Sequence, residues 1–195
     1  MNQGALLEQL RQAAGILWMG LVLVWIVSAL RTKRTIQSQS SASQLLYTAI
    51  LVVGVYLIFA KQSGILWLDR QLFLVTPPVA LTGLVVVLMG VVFSIWARVI
   101  LGGNWSNFVT VKENHTLVRK GPYRVVRHPI YSGIVLGMIG SALQRSELRS
   151  FVGVMICGFS FWLKTRTEEH FMVQRFGEEY LQYCHEVKAL APFIF

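Results

Sequence analysis

The chain has 195 residues, is 54% hydrophobic and carries a formal net charge of +9. With a mean hydropathy of +0.56, it is too apolar for an ordinary soluble domain and is expected to be a membrane protein. The basic excess does not indicate nucleic acid as a partner, because Lys and Arg gather beside apolar runs, as in cytoplasmic loops facing anionic headgroups. Two cysteines, Cys157 and Cys184, make no disulfide framework, and their spacing points to no metal or redox chemistry.

The N-terminal stretch "MNQGALLEQLRQAAG" holds an acidic residue and no basic start. It does not read as a cleaved signal peptide, so the first apolar run is expected to stay as a span. Apolar segments at residues 13–30, 45–60, 79–101, 129–143 and 151–163 are each long enough, or nearly so, to cross the hydrocarbon core as helix. The expected fold is therefore all-α: one polytopic membrane domain of about five transmembrane helices, with a loop at 102–128 and a helical tail at 164–195. Segments four and five are short and glycine-rich (Gly133, Gly137, Gly140, Gly153, Gly158). They are read as a tightly packed hairpin, since small residues let helix backbones approach in lipid.

Between the first two spans, "RTKRTIQSQSSASQ" reads as a polar cytoplasmic turn. After the fifth, "KTRTEEHFMVQRFGEEYLQYCHEVKALAPFIF" reads as a helix leaving the membrane, with Phe171, Met172, Phe176, Tyr180 and Leu181 as its apolar stripe and Gly177 as a stop or kink. Basic residues crowd the loops after spans one, three and five. The opposite side holds only Arg11, Lys61, Arg70, Arg145 and Arg149. The positive-inside rule then puts the N-terminus outside and the C-terminus in the cytoplasm.

Three polar clusters share the cytoplasmic side: the loop "GGNWSNFVTVKENHTLVRKGPYR", the stretch "GPYRVVRHPIYSG" and the segment "KTRTEE". If spans four and five form a hairpin, His128 and Tyr131 come close to Lys164, Arg166, Glu168 and Glu169. Each piece has a plainer reading. Arg124 and Arg127 suit headgroup anchors, Tyr123 and Tyr131 suit interfacial aromatics, and Pro129 suits the first position of a helix. An ionisable His128 at the edge of a span is harder to explain that way, because such groups are costly there and usually have partners. The convergence favours a site.

The motifs "HTLVRKGPYRVVRHPIYSG" and "RTEEHFMVQRFGEEYLQY", with a proline near the C-terminus, resemble the isoprenylcysteine carboxyl methyltransferase family from Gly102 onward. The resemblance implies a cytoplasmic pocket for S-adenosylmethionine, released as S-adenosylhomocysteine, and methylation of a carboxylate on a lipophilic, prenylcysteine-type acceptor, a small molecule or a prenylated substrate, with membrane lipids as further partners. Donor contacts carried over by the motifs fall on His115, Thr116, Leu117, Val118, Tyr123, His128, Pro129, Ile130, Tyr131 and Glu168. Arg127 and Glu169 join them on chemical grounds: the donor's carboxylate needs Arg, His or N–H groups, its ammonium needs a carboxylate, and its adenine needs an apolar slot. The family's substrate-orienting arginine falls on Lys164, with Arg166 two residues later, and either is a candidate. Lysine keeps the charge but lacks the bidentate fork. No GxGxxG follows a strand, so a soluble Rossmann-type enzyme is not indicated. Methylation of a phospholipid amine or of another hydrophobic small molecule, and a non-catalytic transporter or lipid-binding scaffold, are the alternatives, and oligomeric state is left open.

Overall fold

The computed structural model describes residues 2–29, 35–38, 41–102, 110–112 and 117–191. Helices α1 (Gln3–Ala29), α2 (Ser41–Phe59), α3 (Pro77–Leu101), α4 (Pro129–Arg145), α5 (Leu148–Phe176) and α6 (Glu178–Glu186) account for most of it. The first three are long and apolar enough to cross a membrane, and the expected helical membrane architecture is found in that form. Helix α4, at 17 residues, is shorter. Helix α5 is 29 residues long, about 43 Å, and runs unbroken through the charged segment. The span expected at 151–163 and the helical tail expected from 164 are thus one continuous helix. Its real end is Gly177, whose φ of +55° an L side chain rarely adopts.

Two further boundaries differ from expectation. Helix α1 begins about ten residues before the apolar run, because "QGALLEQLRQ" is rich in the straight-chain residues and alanine that favour helix. Within the expected polar turn, Thr35–Ser38 forms strand β1, paired antiparallel with β2 (Thr110–Lys112) and bulged between Thr35 and Gln37. β-Branched Thr and Ile suit that geometry.

Helices α1, α3 and α5 run one way and α2 and α4 the other. Arg11 on α1 reaches the Gln144 carbonyl at the end of α4, whereas Trp25, near the end of α1, packs with Ile130 at the start of α4. The bundle thus has one end holding His128 and another holding Arg145.

Glycines decide which helices touch closely. A Cβ on Gly90 of α3 would lie 2.4 Å from both the Gly133 oxygen and the Gly137 nitrogen of α4. On α2, a Cβ at Gly54 would lie 2.5 Å from Cys157 Sγ and 2.9 Å from the Gly153 oxygen of α5. The tight pairs are therefore α3 with α4 and α2 with α5, not the expected α4–α5 hairpin. Gly158, with nothing within 4 Å of such a Cβ, takes no part. At the far end the fully buried Arg149 ties α5 to the chain leaving α2, through Leu57 O at 3.0 Å, Lys61 O at 3.2 Å, Asp69 at 3.0 Å and Glu147.

Candidate functional site

Local structure sets His128 in place. Pro129 occupies the first position of α4 and restricts the residue before it, leaving His128 outside the helix at φ −122° and ψ 59°. Its backbone N–H donates to Ala189 O at 3.0 Å, and that of Arg127 to Lys188 O at 2.8 Å. The Ser132 hydroxyl donates to Leu190 O at 2.5 Å. The C-terminal segment thus straps the start of α4 from outside.

Across from it, α5 presents Phe161, Lys164, Glu168 and Glu169. Spacings of three, four and seven residues place the first three on one helix face. Glu168 accepts the Tyr131 hydroxyl at 2.5 Å and lies 3.2 Å from His128 Nδ1. Glu169 lies 3.2 Å from His128 Nε2 and accepts Arg127 Nε at 2.9 Å and Nη2 at 2.6 Å. The imidazole is therefore gripped by a carboxylate on each nitrogen, and both His128 and Arg127 have side chains only 9% exposed. Tyr131 stacks on Phe161 with ring centroids 4.8 Å apart, and Lys164 Nζ sits 5.3 Å from the Tyr131 centroid.

Of the expected site residues, the structure brings together Arg127, His128, Tyr131, Lys164, Glu168 and Glu169, with the buried Pro129, Ile130 and Tyr123 packed behind them. Val118 joins Tyr123 and Ile130 in one apolar cluster, and Leu117, next to it in the chain, is half-buried. His115 and Thr116 lie outside the described residues. Arg166 is a correction: it points away, exposed, with its guanidinium 5.3 Å from the Trp162 ring. Two residues along a helix is about 200° around it, so Arg166 cannot share a face with Glu168. Arg124 is also exposed. Arg127 is held by protein groups on all three nitrogens, since Nη1 donates to Cys184 O at 3.2 Å and to Val187 O. These bonds tie it to Glu169 and to the backbone just before the strap.

Phe161 and the strap were missed in the sequence. Phe161 was findable, three residues before Lys164 on the same helix face. The strap was not, because backbone pairing leaves no side-chain mark.

Electrostatics follow the contacts. Burial disfavours the imidazolium of His128, but hydrogen bonds and charge from Glu168 and Glu169 outweigh it and raise the pKa above 6.5. Burial likewise opposes ionisation of Glu168 and Glu169. His128, with Lys164 and Tyr131 for Glu168 and Arg127 for Glu169, outweighs burial and holds both below 4.5. A raised histidine stabilises the fold fully below its ordinary value and loses that as pH rises through its folded one. Lowered carboxyls do so above theirs and lose it as pH falls. The cluster thus contributes most between pH 4.5 and 6.5. In thermal melts, the gap between wild type and His128→Gln should be widest in that window and shrink toward alkaline pH. A gap constant with pH would show that His128 carries no proton there.

A family model described as phospholipid methyltransferase matches residues 79–179, more than half of the chain. The chain belongs to the phospholipid methyltransferase family. The match runs from α3 to the start of α6 and contains every member of the His128–Glu168 cluster. Among curated proteins, this family member is 27% identical over 115 residues to protein-S-isoprenylcysteine O-methyltransferase B of Arabidopsis thaliana, covering 57% of this chain and 58% of that protein. It is 33% identical over 119 residues to a probable enzyme of the same name from Oryza sativa subsp. indica, covering 60% and 62%. To the Homo sapiens protein-S-isoprenylcysteine O-methyltransferase it is 33% identical over 125 residues, covering 59% and 42%. The chain thus spans about three-fifths or less of the length of these relatives. In fold, it superposes on the eukaryotic intramembrane Ras methyltransferase ICMT with a TM-score of 0.55 at 24% identity, covering 80% of this chain and 55% of that one. The relatives bear the name of the family that the sequence motifs resemble.

Proposed function

We propose that this chain is an integral membrane methyltransferase that transfers a methyl group from S-adenosylmethionine to the carboxylate of a lipophilic, prenylcysteine-type acceptor. The observation that carries the reading is the His128–Glu168–Tyr131–Lys164 cluster within the family match. The named activity of the relatives supports the acceptor class.

The residues present fit the donor's chemistry. Glu168 offers a carboxylate for an ammonium, while the His128 imidazolium, whose two N–H groups face Glu168 and Glu169, offers a carboxylate its positive charge rather than a hydrogen bond. Leu117 and Val118 beside Tyr123 offer an apolar edge for adenine. Arg127 and Glu169 serve by holding His128 rather than by reaching a ligand. When bound, S-adenosylmethionine supplies an electrophilic methyl group on a sulfonium.

The rest falls to this chain's own side chains. A carboxylate acceptor, with a reference pKa of about 4, is ionised at neutral pH and needs no base. What it needs is alignment and loss of water. Lys164 supplies a cation beside the Tyr131 ring, and the Tyr131–Phe161 stack forms a dry wall below it. An amine acceptor would instead require a positioned base. Two candidates for such a base are poorly placed for that: His170 is exposed and bonded to Gln174, while Glu169 is already bonded to Arg127 and His128.

We further infer that α1 to α5 all span the membrane, with residues 129–143 and 151–163 as the spanning parts of α4 and α5. The basic end that holds His128 and the C-terminus then faces the cytoplasm.

Removing the charge at Lys164 with Lys164→Met should raise KM for a prenylcysteine acceptor about 10- to 100-fold, as expected for an ion pair to a carboxylate in a dry site. The Kd for S-adenosylhomocysteine should change far less. Arg166→Met should leave both close to wild type. Steady-state kinetics with calorimetry reads the two separately, and a larger effect from Arg166 would reverse the assignment.

A further inference from the structure

At the end of the bundle opposite Glu168, α1, α2 and α4 enclose a cavity of about 120 Å³ bounded by Arg11, Gly15, Trp18, Phe59, Ser141 and Arg145. Arg145 is the last residue of α4, so the cavity lies about 24 Å along that helix from His128. It is separate from the methyl-transfer site.

Arg11 and Arg145 both line it, and among the described residues neither forms an ion pair. Arg11 donates from Nε and Nη2 to Gln144 O at 3.3 and 3.1 Å. Arg145 donates from Nη1 to Ala60 O at 3.3 Å and from Nη2 to Phe59 O at 3.2 Å. Backbone carbonyls thus fix both forks without neutralising them. Glu8 and Glu147 are near enough for their charge to act on Arg145 without pairing with it, and Glu147 pairs with Arg149. Two like charges close enough to repel each other at the membrane's edge are relieved when an anion joins them.

The walls below are aromatic. Trp18 and Phe59 meet edge-to-face at 6.0 Å, and the Trp18 indole N–H donates to Ser141 Oγ at 3.0 Å. Beyond that ring contact α1 and α2 share few neighbours, and a Cβ on Gly15 would meet nothing within 4 Å. An acyl chain therefore has a route past these rings toward lipid. Cations at the rim with apolar rings beneath match a phosphate diester carried on a hydrocarbon tail.

We propose that this cavity is a second lipid site, taking the phosphate of an anionic phospholipid between Arg11 and Arg145 and its acyl chain along Trp18 and Phe59. The site acts independently of methyl transfer, so its test does not depend on the activity proposed above.

The experiment is thermal unfolding of the purified full chain in detergent, with phosphatidylglycerol, phosphatidylcholine or inorganic phosphate added. Phosphatidylglycerol near saturation should raise Tm by about 5–10 °C, and phosphatidylcholine by much less. The Arg11→Gln/Arg145→Gln double variant should lose that shift. Gly15→Leu, which leaves both arginines in place and favours helix, should also lose it by filling the acyl route. An equal rise from inorganic phosphate would overturn the lipid assignment in favour of a simple phosphate site. An undiminished rise in both variants would overturn the site itself.

Discussion

Replacing Glu168 with glutamine should lower the affinity for S-adenosylhomocysteine by at least about 100-fold, the equivalent of about 3 kcal/mol for breaking one member of a buried charge network. The amide would keep the volume and still accept the Tyr131 hydroxyl, which Glu168 takes at 2.5 Å. It would remove the charge that faces His128 at 3.2 Å and steadies Lys164. Glu169→Gln should cost less, because Glu169 faces Arg127 and acts through His128 rather than on a ligand. Its loss should appear as a weaker hold on His128, with an intermediate drop in affinity and a smaller pH-dependent gap in melting temperature. Isothermal calorimetry on the purified wild type and both variants reads all three affinities. Retention of wild-type affinity by Glu168→Gln, within about threefold, would remove Glu168 from the donor site.

The largest effect on stability should come from a single methyl group. Gly90→Ala places a Cβ 2.4 Å from two backbone atoms of α4, at Gly133 and Gly137, and backbone cannot swing aside as a long side chain can. Helices α3 and α4 must part. The expected loss is about 2–3 kcal/mol, seen as a fall in Tm of about 4–12 °C. Gly158→Ala is the matched control. Its Cβ meets nothing within 4 Å, and alanine favours helix, so Tm should hold or rise slightly. Because α4 carries Tyr131 and begins directly after His128, Gly90→Ala should also weaken donor binding without removing any cluster side chain. Equal melting temperatures for the two variants would mean that α3 and α4 do not approach as closely as described.

The site was legible in the sequence where side-chain chemistry was distinctive and went unread where it was not. "RHPIY" and "EE" announced mixed charge beside a membrane, and the antiparallel course of α4 and α5 brought them together as expected. Two readings failed for geometric reasons. Arg166 was paired with Lys164 by nearness in sequence, yet two residues along a helix turn a side chain to the far face. The glycines of segments four and five were assigned to each other, although a small-residue stripe shows only that some backbone approaches closely. Their partners are Gly83 and Gly90 on α3 and Gly54 on α2, within runs whose apolar character hid them. The strap over Arg127 and His128 rests on main-chain bonds to Lys188 and Ala189, which any sequence can make. Arg127 looked like a ligand contact because its three carbonyl and carboxylate partners, Cys184, Val187 and Glu169, lie 42 to 60 residues away along the chain.

Whether this cluster methylates a carboxylate on a lipophilic acceptor is read most directly from the product. Purified protein is incubated with methyl-labelled S-adenosylmethionine and a farnesylcysteine acceptor, and the lipid-soluble label is extracted and treated with base. Label should enter the organic phase and be released by base as methanol, the mark of a methyl ester, and Glu168→Gln should lose it. Label that resists base would show transfer to nitrogen, and no transfer to the acceptor despite measurable binding of S-adenosylhomocysteine would contradict the prenylcysteine assignment.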